Sequence, residues 1–112
     1  MATPAYLGEF EQLLLLAVLR LDSDAYGLGI ARELEARAGR SVSRGALYTS
    51  LDRLERKGFV RSTMSAPVEA RGGRSKRCFT MRPAGVTALR QSRERLARMW
   101  EGLSPSLKKV RP

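Results

Sequence analysis

The sequence contains no histidine and a single cysteine, Cys78. Without histidine it has no imidazole base. With one thiol it can form neither an intrachain disulfide nor a Cys/His zinc cluster. That usage fits a reducing compartment. Acids are scarce as well: 11 Asp and Glu stand against 21 Lys and Arg, a formal charge of +10. No apolar run approaches the roughly 20 residues that a helix needs to cross a bilayer. The first residues, MATPAYLGEFEQ, place no basic stretch ahead of the apolar segment and carry acids near it, unlike a signal peptide. The expectation is a soluble cytoplasmic protein with no membrane partner. Phosphate-loop and dinucleotide-loop patterns are also missing. The carboxylate pairs Glu9/Glu11 and Glu33/Glu35 are two residues apart and do not share a helix face. No catalytic centre, metal or cofactor is expected.

What is present is a chain of 112 residues, 43% of them hydrophobic. That is enough for one domain with one modest core. The positive excess suits a partner dense in negative charge, such as nucleic acid, an anionic membrane surface or an acidic protein. The plainer alternative is a basic surface kept for solubility.

The spacing of apolar residues predicts a first helix over residues 9–21. One stripe is Phe10, Leu13, Leu14, Ala17, Val18 and Leu21; a second is Leu15, Leu16 and Leu19. Two apolar stripes imply burial on both sides, so the second is assigned to a contact between subunits. Asp22-Ser23-Asp24 reads as a turn rich in N-cap candidates. A second helix follows over residues 25–38, with Gly27, Ile30, Ala31, Leu34 and Ala38 inward and Gly39 as its stop. Its internal glycines, Gly27 and Gly29, each cost roughly 1 kcal/mol relative to Ala, which points to close backbone packing. Ser43 is placed to cap a third helix over residues 44–57, ended by Gly58. Leu47, Leu51 and Leu54 face the core; Gly45, Thr49, Asp52 and Arg56 point away, with Tyr48 and Arg53 on the flanks.

Residues 59–64 and 76–81 read as two strands joined by a loop with Pro67, Gly72 and Gly73. Cys78, in mid-strand, reads as a small apolar filler rather than a redox sensor. Pro83 opens a last helix over residues 83–103. There Val86, Leu89, Arg93, Leu96, Trp100 and Leu103 repeat at intervals of 3, 4, 3, 4 and 3, the seam of a packed helix pair interrupted by one Arg. The organisation expected is a domain over residues 1–82, a dimerisation helix over 83–103 and a mobile basic tail over 104–112.

Three helices, a basic hairpin and a last helix describe a mainly α (α+β) fold, a winged helix-turn-helix between an N-terminal helix and a long C-terminal one. The major groove admits one α-helix. The third helix offers it Ser43, Arg44, Gly45, Tyr48, Thr49 and Arg53. From residue 71 to 82 the hairpin holds five basic residues and no acid: Arg71, Arg74, Lys76, Arg77 and Arg82. Arg71, Arg74 and Lys76, around the glycine tip, are expected at the DNA backbone or minor groove. The dimer contact is expected to use Leu15, Leu16, Leu19, Val86, Leu89, Leu96, Trp100 and Leu103. The partners expected are a pseudo-palindromic double-stranded operator and a second copy of the chain. A nonspecific nucleic-acid binder and a protein-interaction module are the readings this must displace.

Tyr26-Gly27, followed by the run from Gly45-Ala46-Leu47-Tyr48 through Leu51, Leu54-Glu55 and Gly58, resembles the PadR family of transcriptional regulators. Arg74, Lys76 and Phe79 resemble its wing, and Gly85 the glycine at the start of its last helix. The likeness covers residues 7–103. It implies a dimeric winged-helix regulator of the short type, usually a repressor, with a DNA-backbone role for Tyr48. Some members bind flat aromatic compounds between subunits, which would make Trp100 an effector contact as well as a packing anchor. The chain departs from the pattern at Met81-Arg82-Pro83, where the family often has Thr, and at Leu28-Gly29, where it often has an aromatic residue and Glu.

Overall fold

In the computed structural model, which describes residues 6–65 and 76–103, the chain forms helix α1 (Glu9–Leu21), a 3-10 turn (Asp22–Asp24), α2 (Gly27–Ala38), α3 (Arg44–Arg56), strands β1 (Val60–Met64) and β2 (Arg77–Met81), and α4 (Pro83–Trp100). The strands pair antiparallel, with Val60 opposite Met81 and Met64 opposite Arg77. Residues 66–75, including Arg71 and Arg74, and the tail 104–112 lie outside the described residues.

The core gathers Leu14, Leu15 and Val18 of α1, Ile30 of α2, Leu51 and Leu54 of α3, and Val60 and Phe79 of the strands, all essentially without solvent contact. Each such side chain stabilises the fold by about 1.5–3 kcal/mol relative to exposure. Leu15 was expected at a subunit contact, yet it belongs to this core. α1 lies at the centre of the domain, against α2, α3, α4 and β2, so the chain itself covers much of the second stripe. Only Leu16 and Leu19 of that stripe stay 44% exposed.

α2 starts two residues later than its pattern suggests, and none of Asp22, Ser23 and Asp24 caps it. The N-cap is Tyr26, which makes no side-chain capping bond. The physical reason is tertiary: Ala25 and Tyr26 run alongside β2. The Phe79 amide donates to the Ala25 carbonyl (2.9 Å), and Tyr26 forms a bridge with Cys78. These residues act as a rudimentary third strand. Cys78 is partly buried, with its Sγ 3.7 Å from the Ser23 carbonyl.

The row of α4 that meets the domain is Gly85, Ala88 and Ser92. Val86 and Leu89 beside it are partly buried, and Leu89 packs against the core. The helix closes at Trp100, so Leu103 falls just beyond it rather than in its last turn. A Cβ on Gly85 would lie 2.3 Å from the Phe59 carbonyl oxygen. That close approach, with the Arg82 amide donating to the same carbonyl (3.0 Å), seats α4 beneath the start of β1.

Candidate nucleic-acid interface

α3 has well-made ends. The Ala46 amide donates to Ser43 Oγ (3.1 Å), the expected N-cap. At the other end Gly58 takes φ 83°, its amide donates to Glu55 and the Phe59 amide donates to Leu54, which closes the helix and turns the chain into β1. Leu47, Leu51 and Leu54 hold the helix from behind.

The outward side carries Arg44, Gly45, Thr49, Arg53 and Arg56, all exposed. A Cβ on Gly45 would meet nothing within 4 Å. Packing does not require a glycine there, but its bareness lets another molecule approach the helix start closely. Arg53 stands at the α1-side rim of this surface, where with Ser50 it borders a hollow lined also by Gly8, Phe10, Glu11 and Arg40.

Tyr48 is half-buried. Its hydroxyl lies so close to α2 that a Cβ on Gly27 would come within 2.1 Å of the oxygen. Its ring tilts against Phe79, centroids 6.4 Å apart. The Arg44 guanidinium sits 5.9 Å from the centre of the Tyr48 ring. Tyr26-Gly27 and Leu47-Tyr48 are therefore two halves of one contact.

On the hairpin, Lys76 is exposed, with Nζ 5.3 Å from the Tyr26 ring centre. Lys76 and Ser65 close the described part of the wing: the Ser65 amide donates to the Lys76 carbonyl (2.7 Å), and the Lys76 amide to Ser65 Oγ (2.9 Å).

Arg77, counted with the basic residues of the hairpin, is engaged by acids of α3. Its Nη2 lies 2.6 Å from Asp52 Oδ1 and 2.9 Å from Glu55 Oε1. Burial alone would weaken its hold on the proton; hydrogen bonds to Asp52 and Glu55 outweigh that and raise its pKa. Asp52, expected to point outward, is thereby drawn toward the wing. Glu55 also accepts from the Ser62 amide (2.8 Å) and from Ser62 Oγ. The Ser62 amide above all, and the Arg77 guanidinium with it, hold the Glu55 carboxyl below its ordinary value. Across the helix, Lys57 Nζ donates to Glu11 (2.7 Å). Burial raises the pKa of Glu11, but the bonds from Lys57 and the Gly8 amide bring it down on balance.

The residues missed in the sequence are thus Glu55, Ser62 and the true role of Arg77. One signal was present. Arg77 shares strand parity with Phe79 and Met81, the side that turns toward α3, whereas Lys76 does not.

Trp100 is 47% exposed, beside Leu96 at 56%, Met99 at 74% and Leu103 at 48%. A hollow of about 240 Å³ between the start of α1 and α4 is lined by residues including Tyr6, Ser92, Arg95, Leu96 and Met99, and Trp100 is not among them.

Three helices with the third turned outward, a short hairpin beside it and a helix laid beneath define a winged helix-turn-helix protein with a C-terminal helical extension. The sequence pattern of the Transcriptional regulator PadR-like family matches residues 15–91, and the chain belongs to that family. Solved structures agree. A PadR family transcription regulator from hypervirulent Clostridium difficile R20291 superposes with a TM-score of 0.72 at 23% identity, over 89% of this chain and 99% of that one. A PadR family transcriptional regulator from Eggerthella lenta DSM 2243 gives 0.66 at 22% identity, over 91% and 88%. A complex structure of hsRosR-S1 gives 0.68 at 28% identity, over 93% and 85%. No curated protein matches the chain significantly. Among the described residues no helix is long and apolar enough to cross a membrane. DNA-binding transcriptional regulation is the function that membership of the family carries.

Proposed function

We propose that the protein is a homodimeric, sequence-specific repressor that acts in the cytoplasm on a pseudo-palindromic double-stranded operator. In this reading α3 of each copy enters the major groove and brings Ser43, Arg44, Gly45, Tyr48, Thr49 and Arg53 to base edges and phosphates. The hairpin carries Arg71, Arg74 and Lys76 to the adjoining backbone. Residues 83–103 make the dimer contact through Val86, Leu89, Leu96, Trp100 and Leu103, with Leu16 and Leu19 of α1. A hydrophobic or aromatic small molecule seated at that contact beside Trp100 releases the operator.

The observation that carries the reading is the outward side of α3. Its side chains are small, hydroxylated or cationic, and among the described residues nothing covers Arg44, Gly45 or Thr49. In a protein of charge +10 that side suits a groove walled by phosphates. The dimer reading rests on the exposed apolar row at the end of α4. The effector reading gains from the same place. The hollow between α1 and α4, about 240 Å³, is smaller than an ordinary ligand site, so an effector seated at that end of α4 would need a second copy to complete its site.

Selection of duplexes from a random pool with the pure protein tests the proposal. An enriched inverted repeat, with half-sites one or two helical turns apart, is the expected result. Equal recovery of all sequences would overturn the specific reading in favour of nonspecific binding.

A further inference from the structure

Arg77 is one of the five basic residues that the sequence places between positions 71 and 82, yet its guanidinium turns back toward α3. A single nitrogen, Nη2, bridges Asp52 and Glu55. The same guanidinium covers the ring of Phe79, with Cζ 4.8 Å from its centre. Phe79 is fully buried and meets Tyr48, and Tyr48 in turn lies beneath Arg44. Glu55 extends the chain of contacts to β1 through the Ser62 amide and hydroxyl. Arg77 therefore sits where the groove-facing helix, both wing strands and the aromatic contact behind Arg44 converge.

Asp52 and Glu55 lie three residues apart on the wing side of the helix that approaches the DNA. Two carboxylates so placed repel each other and would repel phosphates. One shared cation bridges the two and halves their net charge. The arrangement fits poorly with Arg77 as a phosphate ligand. Its charge is already engaged, and withdrawing it would leave two uncompensated acids beside the duplex.

We propose that Arg77 is a positioning residue for DNA binding: it offsets part of the negative charge of Asp52 and Glu55 and fixes the wing against α3 without itself meeting the DNA. The proposal rests on the DNA binding common to the family, and on neither the operator nor the dimer reading. Partly exposed ion pairs add little to global stability, so the effect falls on the affinity of the folded protein.

The test is a double-mutant cycle on the full chain, read by fluorescence anisotropy with a labelled random-sequence duplex at low salt, well below each variant's melting temperature. Arg77→Gln is expected to weaken binding by about tenfold in the wild-type background, as for residues coupled through one network. In the Asp52→Asn/Glu55→Gln background the same substitution is expected to change affinity by less than about twofold. Equal losses in the two backgrounds would overturn the proposal and make Arg77 a direct phosphate ligand. Hydrogen exchange of the DNA-free protein gives a second readout. Faster exchange of the Ser62 amide in Arg77→Gln supports a clamp on the wing, and unchanged exchange there would contradict it.

Discussion

Gly27 and Gly85 both sit where a methyl group would collide, but the obstacles differ. At Gly85 the obstacle is the Phe59 carbonyl, 2.3 Å from the added carbon, and backbone at a strand entrance cannot step aside cheaply. At Gly27 it is the end of the Tyr48 side chain, which can swing away. Alanine also gains about 1 kcal/mol over glycine inside a helix. Gly85→Ala is therefore expected to lose about 2 kcal/mol net of that gain, and Gly27→Ala far less, because the strain is relieved by displacing Tyr48. Denaturant melts of the two variants measure this, and equal losses would contradict it. The sequence marked both glycines through the family pattern. It did not show that Gly27 is matched to Tyr48, because that pairing crosses from α2 to α3 and leaves no local signal.

At the scale of elements, α3 is braced on both flanks by ion pairs of opposite sense. Lys57 reaches Glu11 on the α1 side, and Arg77 reaches Asp52 and Glu55 on the wing side. The Glu55 carboxyl is held below its ordinary value of 4.5. The unfolded chain therefore binds its proton more readily than the folded one. Its stabilising contribution is present above the ordinary carboxylate range and is lost as pH falls through the lower folded value. Glu11 acts in the same direction. The melting temperature of the wild type is thus expected to fall as pH is lowered below about 4.5, and Glu55→Gln to show a shallower fall from a lower starting point. Parallel curves for the two proteins would contradict the assignment. The effect is modest because the pairs are partly exposed.

The boundaries of α1 and α3 were legible because their periodicity and end signals agree with their packing. The start of α2 was not. Asp22-Ser23-Asp24 offers good capping side chains, but pairing of Ala25 and Tyr26 with β2 pulls the chain past them, and long-range pairing outweighs a cap worth about 1 kcal/mol. The count of basic residues on the hairpin was likewise right as charge and incomplete as placement. Arg77 shares the inward parity of Phe79, and a count ignores parity.

For the whole molecule, the instructive residue is Leu15. A helical wheel shows that α1 is apolar on two sides but not what covers each. In the folded chain α1 is central, and the domain takes Leu15 for its own core. The exposed apolar side chains include Leu16 and Leu19 of α1 and Leu96, Met99, Trp100 and Leu103 at and just beyond the end of α4, and the dimer reading rests on these. The dimer reading predicts that Leu96→Ala together with Trp100→Ala yields a folded monomer with weakened DNA binding, because avidity between half-sites is lost. Sedimentation velocity checks this, and an intact dimer would move the contact elsewhere.

The central claim is that the outward side of α3 meets DNA. Thr49 is exposed at the middle of that side, so Thr49→Glu sets a carboxylate among the phosphates with little expected effect on folding. In an anisotropy titration at low salt the account predicts a loss of affinity of about a hundredfold with an unchanged melting temperature. Binding as tight as that of the wild type would show that the duplex lies against some other surface.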